Sequence, residues 1–360
     1  MGRKNAYVGG IIGANPLVAP TVFASSDPHT FDDGVYRYHE FTSDGTLTVT
    51  SGGTFDVLLV GGGGAGGYGH AGGGAGGEVV IGTGLTMTDN GSITVTVGAG
   101  GSLVSSKTAP GGNGSLSTIT SSGLATPISA KVGQGGRSRN MPDSNLDRTN
   151  VSNTGGGSDG FEAPKHTNSS YGEAGFADGN TSGYFDTQGN PITQTATGTV
   201  SISSYTNENG GSYTIHGGNL GGIGSNMHSS GSAARYAGGA GGAGAGADGI
   251  NRTGSLRGHG GDGVQVTGWG STDYYYGGGG GGAYVSGGPG SGGDGGGGGA
   301  AHYNAGGGSG GTGGRSVGGN GGGVGGSGGA NTGGGGGAGK YNTVSGGSGG
   351  SGIVVIRYAI

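Results

Sequence analysis

The chain has 360 residues, of which 108 are glycine, none is cysteine and only 10% are charged. Glycine inside a helix costs about 1 kcal/mol relative to alanine, so this composition excludes helix bundles and doubly wound α/β folds. The formal net charge of −5 provides no basic surface for nucleic acid, and without cysteine the chain has neither disulfides nor thiolate metal sites. No apolar run is long enough to span a membrane, so no membrane insertion is expected.

Residues 1–34 differ in composition from the rest of the chain. A basic start, Met1 to Lys4, precedes an apolar stretch as in a secretory signal, but Asn15, Pro16 and Pro20 interrupt that stretch. The segment is therefore interpreted as an N-terminal arm rather than as a cleaved leader.

Ten short runs are rich in β-branched or aromatic residues and are bounded by Gly, Asn, Asp or Ser, which is typical of β-strands. They cover residues 35–41, 46–50, 55–60, 78–81, 93–97, 115–120, 199–203, 212–216, 264–267 and 353–358. In the fifth run Ile93, Val95 and Val97 alternate with threonine, so one face is predicted to be buried. We predict an all-β antiparallel sandwich with essentially no α-helix, whose strands lie mainly in 35–133, 199–216 and 353–359.

Three glycine-rich inserts, 61–77, 217–263 and 277–352, connect these runs. In the last insert the side chains keep one phase of three, at Ser309, Thr312, Arg315, Val324, Ser327 and Ala330. The polyproline-II conformation has this period but no internal hydrogen bonds, so each helix must bond to its neighbours. We predict a packed bundle of polyglycine-II helices, with a disordered linker as the alternative.

Several stretches resemble nucleotide-binding motifs but lack residues or elements that those motifs require. Residues 57–67 resemble a strand followed by a dinucleotide-binding turn, yet glycines at 72–77 stand where the helix would begin. Residues 334–340 resemble a phosphate-binding loop, but Tyr341 replaces the Ser or Thr that would hold Mg²⁺. The eight histidines are scattered, and no nucleophile elbow is present. We therefore predict no catalytic residue, no metal, no cofactor and no enzymatic activity.

Aromatic residues stand out in the polar inserts, where tyrosine and tryptophan are suited to gripping a partner at low entropic cost. The candidates for receptor contact are Trp269, Tyr274, Tyr275, Tyr276, Tyr171, Tyr184, Tyr284 and Tyr303. The alternative is that these rings cap the open edges of the glycine bundle. The polar stretch 134–191 is interpreted as a display insert.

Three stretches resemble the glycine-rich domains of tailed-phage tail-fibre and tail-tip proteins. They are YRYHEFTSDGTLTVTSGGTFDVLLVGGGGAGG at 36–67, SITVTVGAGG at 92–101 and GGSGGSGIVVIRY at 346–358. The resemblance covers residues 35–360 and implies a β-sandwich with polyglycine-II connections. It further implies a place on the virion surface and receptor binding through loops at the far end of the glycine lattice.

The resemblance leads to a non-catalytic virion appendage that binds a bacterial surface glycan or outer-membrane protein. Residues 1–34 would then attach to other virion proteins, with contact candidates Tyr7, Ile11, Ile12, Leu17 and Phe23. A purely structural protein that decorates the capsid, neck or tail is the alternative function. The oligomeric state is open, with a homotrimer among the options.

Overall fold

The computed structural model describes residues 22–24, 29–49, 51–69, 71–88, 92–138, 209–217, 219, 221–222, 225–227, 236–250, 257–283, 288–302, 306–340 and 344–360. These residues contain no α-helix and form fifteen β-strands that pair in antiparallel sheets. The predicted all-β fold is confirmed.

Two large sheets organise the strands. The six-stranded sheet has the order β10 (Ser212–His216), β6 (Val79–Met87), β5 (Gly53–Val60), β15 (Ile353–Ala359), β3 (Tyr36–Phe41) and β2 (His29–Asp32). The five-stranded sheet has the order β1 (Val22–Ala24), β4 (Gly45–Val49), β7 (Ser92–Thr96), β8 (Ser117–Thr120) and β9 (Ile128–Ala130). Two hairpins complete the set, β11 (Ser225–Met227) with β12 (Tyr236–Gly238) and β13 (Val264–Val266) with β14 (Tyr274–Tyr276).

One hydrophobic cluster joins the two large sheets. Val57 and Ile356 of the six-stranded sheet pack in it with Leu47 and Ile93 of the five-stranded sheet. In β7 the apolar residues are buried and Ser92, Thr94 and Thr96 are exposed, as the alternation predicts. Each sheet therefore turns one face of its strands toward a shared core.

Nine of the ten predicted runs contain a strand, and the tenth, 199–203, lies outside the described residues. The sequence pattern did not indicate β1, β2, β9, β11, β12 or β14. Both β1 and β2 fall within residues 1–34, yet β1 pairs with β4 and β2 pairs with β3. The sheets therefore begin before the predicted domain boundary at residue 35.

Backbone hydrogen bonds bind each glycine-rich segment, here called a thread, to its neighbours. In thread 61–67, residues 61, 64 and 67 donate to thread 72–78, residues 62 and 65 donate to 112–115, and residues 63 and 66 donate to 347–350. These N–H···O distances lie between 2.8 and 3.0 Å. Successive residues thus face three different neighbours in turn, which is a three-residue repeat.

The carbonyl groups of the same thread accept hydrogen bonds from three further segments. Gly62 and Ala65 accept from 133–136, Gly63 accepts from Gly101, and residues 64 and 67 accept from 336–339. Thread 61–67 is consequently surrounded by six segments. All seven of its N–H groups and five of its carbonyl groups are paired with backbone, without the help of side chains.

Close packing leaves no room for a side chain at many glycine positions of this bundle. A Cβ on Gly64 would overlap the carbonyl oxygen of Gln134, and one on Gly337 would overlap that of Gly299. Side chains in the predicted phase of three are instead exposed at Ser309, Thr312, Val324, Ser327 and Ala330, whereas Arg315 is half-buried. The assignment of the threads as polyglycine-II helices stays a prediction.

The bundle extends from one end of the sheets. Thread 61–67 continues β5, and thread 72–78 returns into β6. Away from the sheets, four alanines of different threads form a cluster that marks what we call the far end. They are Ala71, Ala283, Ala300 and Ala338. The opposite end of the sheets, called the basal end, holds Val49, Gly53 and Ile360.

Candidate functional site

Four of the aromatic candidates, Trp269 and the tyrosines at 274–276, belong to the β13–β14 hairpin. This hairpin lies against the six-stranded sheet, on the face that points away from the shared core. Val266 and Tyr276 of the β13–β14 hairpin pack with Leu58 and Val355 of the sheet in a second hydrophobic cluster. Leu58 alternates with Val57 and Leu59, which belong to the first cluster. The hairpin thus covers the outer face of the sheet.

Trp269, in the turn of this hairpin, is fastened by an arginine of the last strand. The guanidinium of Arg357 lies 4.2 Å from the centroid of the Trp269 ring and 4.4 Å from that of Tyr36. Its Nε donates to Asp56 at 2.9 Å, and another of its N–H groups donates to the carbonyl of Gly268. A cation held between two rings and a carboxylate joins the turn to the sheet.

Tyr274 meets a second arginine, which comes from a thread reversal at the sheet end of the bundle. The guanidinium of Arg315 lies 5.2 Å from the centroid of the Tyr274 ring and bonds to Oε1 of Glu40 at 2.6 Å. Glu40 is only 4% exposed. Because a buried carboxylate needs a partner, this ion pair holds the reversal against β3.

The other two tyrosines of the hairpin also make structural contacts. The N–H of Tyr275 donates to the carbonyl of Gly313 at 2.9 Å, and its ring lies against that glycine, which has a φ of 71°. Tyr276 is 3% exposed, and burial is the main cause that raises its pKa to about 12. Burial removes Tyr276 from the accessible candidates, whereas Trp269, Tyr274 and Tyr275 keep partial exposure.

The remaining candidates are not placed by the structure. Tyr171, Tyr184, Tyr284 and Tyr303 lie outside the described residues, as do the attachment candidates Tyr7, Ile11, Ile12 and Leu17. Phe23 lies in β1, where its backbone stands opposite Thr48 of β4. Residues 134–138 of the predicted display insert belong to a thread, and its remainder to residue 191 lies outside the described residues.

The acidic pair Asp32–Asp33 is occupied by structural bonds. Arg37 donates from Nε and Nη2 to the carboxylate of Asp32, both at 2.8 Å, and these bonds lower the pKa of Asp32. Asp33 accepts from the N–H groups of Tyr36 and Val35 and from the hydroxyl of Tyr38, which lowers its pKa. Both carboxylates are thus held in the ionised form by strand contacts.

Neither a metal-holding cluster nor a membrane-spanning helix occurs in the described part of the chain. No group of three or more His, Asp or Glu side chains is arranged there to hold a metal ion. None of the secondary structure seen there is a helix with the length and apolar character needed to cross a bilayer.

No model of a known protein family matches the chain, and no curated protein matches its sequence. Two of the three stretches that carry the resemblance are neighbours in the structure. Stretch 36–67 covers β3, β4, β5 and the thread after them, and 346–358 covers a thread and most of β15. Because β15 pairs with both β3 and β5, these two stretches form the middle of the six-stranded sheet.

Proposed function

We propose that the chain is a phage virion appendage protein, such as a tail fibre, fibre tip or spike, that recognises the bacterial surface by non-catalytic binding. The observation that carries this proposal is the six-neighbour hydrogen bonding of the threads. Such bonding holds the reversals of many threads in one rigid array, and loops on a rigid scaffold are a common place for recognition. The interior offers almost no side chains with which to perform chemistry.

The far end is the surface that we assign to recognition. Tyr284 directly follows Ala283 of the far-end cluster, and Tyr303 directly follows His302. In the sequence, both candidates therefore stand next to described residues of this end. Their ligand would be a surface glycan or an outer-membrane protein, as the resemblance implies.

The basal end is the surface that we assign to attachment. Val22, the first residue of β1, stands opposite Val49 in the five-stranded sheet, at the basal end. An exposed apolar pair lies there too, because the N–H of Ile360 donates to the carbonyl of Val35 at 3.0 Å and the two residues are 56% and 59% exposed. Apolar surface of this kind suits docking on another virion protein.

A purely structural role in the capsid, neck or tail is the second candidate, and one observation favours it. The guanidinium groups of Arg357 and Arg315 lie over the rings of Trp269 and Tyr274 at the sheet, away from the far end. These aromatic residues therefore cap the sheet and hold the bundle to it. Recognition would then depend on the far-end candidates alone.

The orientation of the chain on the virion tests the proposal. Since the chain has no cysteine, Val324→Cys, at an exposed far-end reversal, and Ile360→Cys, at the basal end, can each carry a single gold label. The proposal predicts that the Val324 label lies outermost at a tail or fibre tip and that purified protein blocks adsorption to host cells. A label pattern flat against the shell, with no block of adsorption, would favour the structural role.

A further inference from the structure

A polar groove of about 430 Å³ opens at the far end of the bundle. Four stretches of the chain form it, and the side chains along it include Arg257, Pro289, Ser291, His302 and Ser309. Glycine backbone at 288 and at 306–308 completes the lining. The groove therefore offers hydroxyl, imidazole, guanidinium and peptide groups.

Arg257 gives this groove a positive charge. No carboxylate occurs among the described residues that line it. Arg37, Arg315 and Arg357 pair with Asp32, Glu40 and Asp56, whereas none of the ion pairs within the described ranges involves Arg257. In a chain whose net charge is −5, this groove is a place where an anion would gain a cationic partner.

The guanidinium of Arg257 is positioned by the bundle. A Cβ on Gly288 would overlap its Cζ and Nε atoms, so the group lies directly on glycine backbone. Beneath it, the N–H of Ser291 donates to Nδ1 of His259 at 3.0 Å. The charge of Arg257 adds to burial in lowering the pKa of His259, which keeps that imidazole able to accept this bond.

The two serines are held by the same backbone network. The carbonyl of Ser291 accepts from Gly260 at 2.9 Å, and the carbonyl of Ser309 accepts from Gly292 at 2.9 Å. Both hydroxyls are thus carried on ordered threads. A ligand would find their positions largely pre-formed, which lowers the entropic cost of binding.

We propose that this groove binds an acidic saccharide, a sugar that carries a carboxylate or a phosphate. Arg257 holds the oxyanion, for which a planar guanidinium is well suited. Ser291, Ser309 and His302 hydrogen-bond the sugar hydroxyls. The inference rests on the proposed function, because it names the chemical class of surface ligand that the far end would take.

Calorimetric titration of the full chain tests the groove with three sugars. Methyl glucuronide carries a carboxylate, glucose 6-phosphate carries a phosphate, and methyl glucoside is the neutral control. We expect both anions to bind at least about tenfold more tightly than the neutral sugar, since hydrogen bonds to a charged group are stronger than those between neutral groups. The preferred anion identifies the source as an acidic sugar or a phosphorylated one.

Variants separate the groove from general charge. Arg257→Gln should weaken binding of the anions about tenfold. Lys107→Gln, which removes one positive charge outside the groove, should leave it unchanged. Equal losses in both variants, or no loss in Arg257→Gln, would overturn the proposal, as would equally tight binding of N-acetylglutamate.

Should Arg257→Gln fail to fold, a salt titration of the native protein tests the same contact. The affinity for the anionic sugars must fall as the sodium chloride concentration rises, and a salt-independent affinity would contradict the proposal.

Adsorption to cells separates this inference from the proposed function. If purified protein blocks adsorption but binds neither anionic sugar, the groove assignment is wrong and the function stands. If the sugars bind as expected but the protein neither labels a tail tip nor blocks adsorption, the function is wrong and the groove stands.

Discussion

The guanidinium of Arg357 lies 4.2 Å from the centroid of the Trp269 ring, and this contact ties the turn of a two-stranded hairpin to the last strand of the chain. Asp56 on β5 holds the same guanidinium at 2.9 Å. Segments far apart in the sequence are thereby fastened at one point. The contact identifies Trp269 as part of the structure that joins the glycine bundle to the six-stranded sheet.

Replacing Trp269 with alanine should loosen this fastening. The variant loses the cation–π contact with Arg357 and part of the second hydrophobic cluster. We expect the free energy of unfolding to fall by about 2–3 kcal/mol, measured by urea denaturation. Ser271→Ala, at an exposed position of the same turn, is the matched control and should change it by less than about 0.5 kcal/mol. Equal effects of the two variants would refute the role of the ring.

Adding one methyl group inside the bundle should be far more damaging than adding one outside. In Gly64→Ala the new Cβ overlaps the carbonyl oxygen of Gln134, so backbone must shift. We expect a loss of about 3 kcal/mol or more. Gly323→Ala places its Cβ where no atom lies within 4 Å, and it should change stability by less than about 0.5 kcal/mol. Comparable denaturation midpoints for the two variants would argue against close packing of the threads.

Tyr276 should make the protein sensitive to alkali. Burial raises its folded-state pKa to about 12 from the ordinary value of 10.0. The stabilisation is complete below about pH 10 and is lost as pH rises toward 12, because only the unfolded chain gives up this proton in that range. The loss from this group amounts to about 3 kcal/mol. Tyr276→Phe should flatten the decline in denaturant midpoint between pH 10 and 12, and an unchanged decline would exclude this cause.

His259 should make the protein sensitive to acid. Burial and the nearby Arg257 lower its pKa below the ordinary 6.5, and its Nδ1 accepts the N–H of Ser291. The unfolded chain therefore takes up this proton first, so stability is complete above about pH 6.5 and falls as pH drops through the lowered folded-state pKa. Burial lowers the pKa of His216 as well, in the same direction.

Comparing the wild type with His259→Gln isolates this contribution. Glutamine can still accept a hydrogen bond but does not titrate, so the variant should lose less stability than the wild type between pH 7 and pH 5. NMR titration of the His259 ring gives the same information directly. A folded-state pKa at or above 6.5 would contradict the prediction.

The sequence pattern predicted the strands that are strongly apolar or strictly alternating. Residues 353–356 and 57–60 are continuous apolar runs, and both belong to central strands of the six-stranded sheet. The strand β2 (His29–Asp32) has Phe31 as its one large apolar side chain, so no period could indicate it. Its place at the sheet edge comes from pairing with β3, which is a tertiary contact.

The side chains that keep the three-residue phase of the last insert are exposed in the structure, except for Arg315, which is half-buried. The phase could not predict which threads are neighbours, because every thread offers the same peptide groups. Residues 72–78 bond to 131–137 because the first segment leads into the start of β6 and the second continues from the end of β9. The two large sheets thus determine the arrangement of the bundle.

The candidate sites were only partly predictable. Tyrosine is favoured both in strands and in binding surfaces, so the run 274–276 allowed either interpretation, and the structure shows it as β14 with Tyr276 buried. Arg257 gave no signal, because an isolated arginine among glycines is meaningful only once Gly288 and Ser291 are seen beside it.

Amide hydrogen exchange at the threads is the decisive measurement. The N–H of Gly280 donates to Gly74, and the N–H of Gly336 donates to Gly64, both at 2.8 Å. If backbone bonds between threads hold most of this molecule together, amides in 277–283 and 334–339 should exchange as slowly as those of β5 and β15. Exchange at the rate of a free peptide in these two threads, with the strands still protected, would show that the glycine-rich segments are not bound to one another.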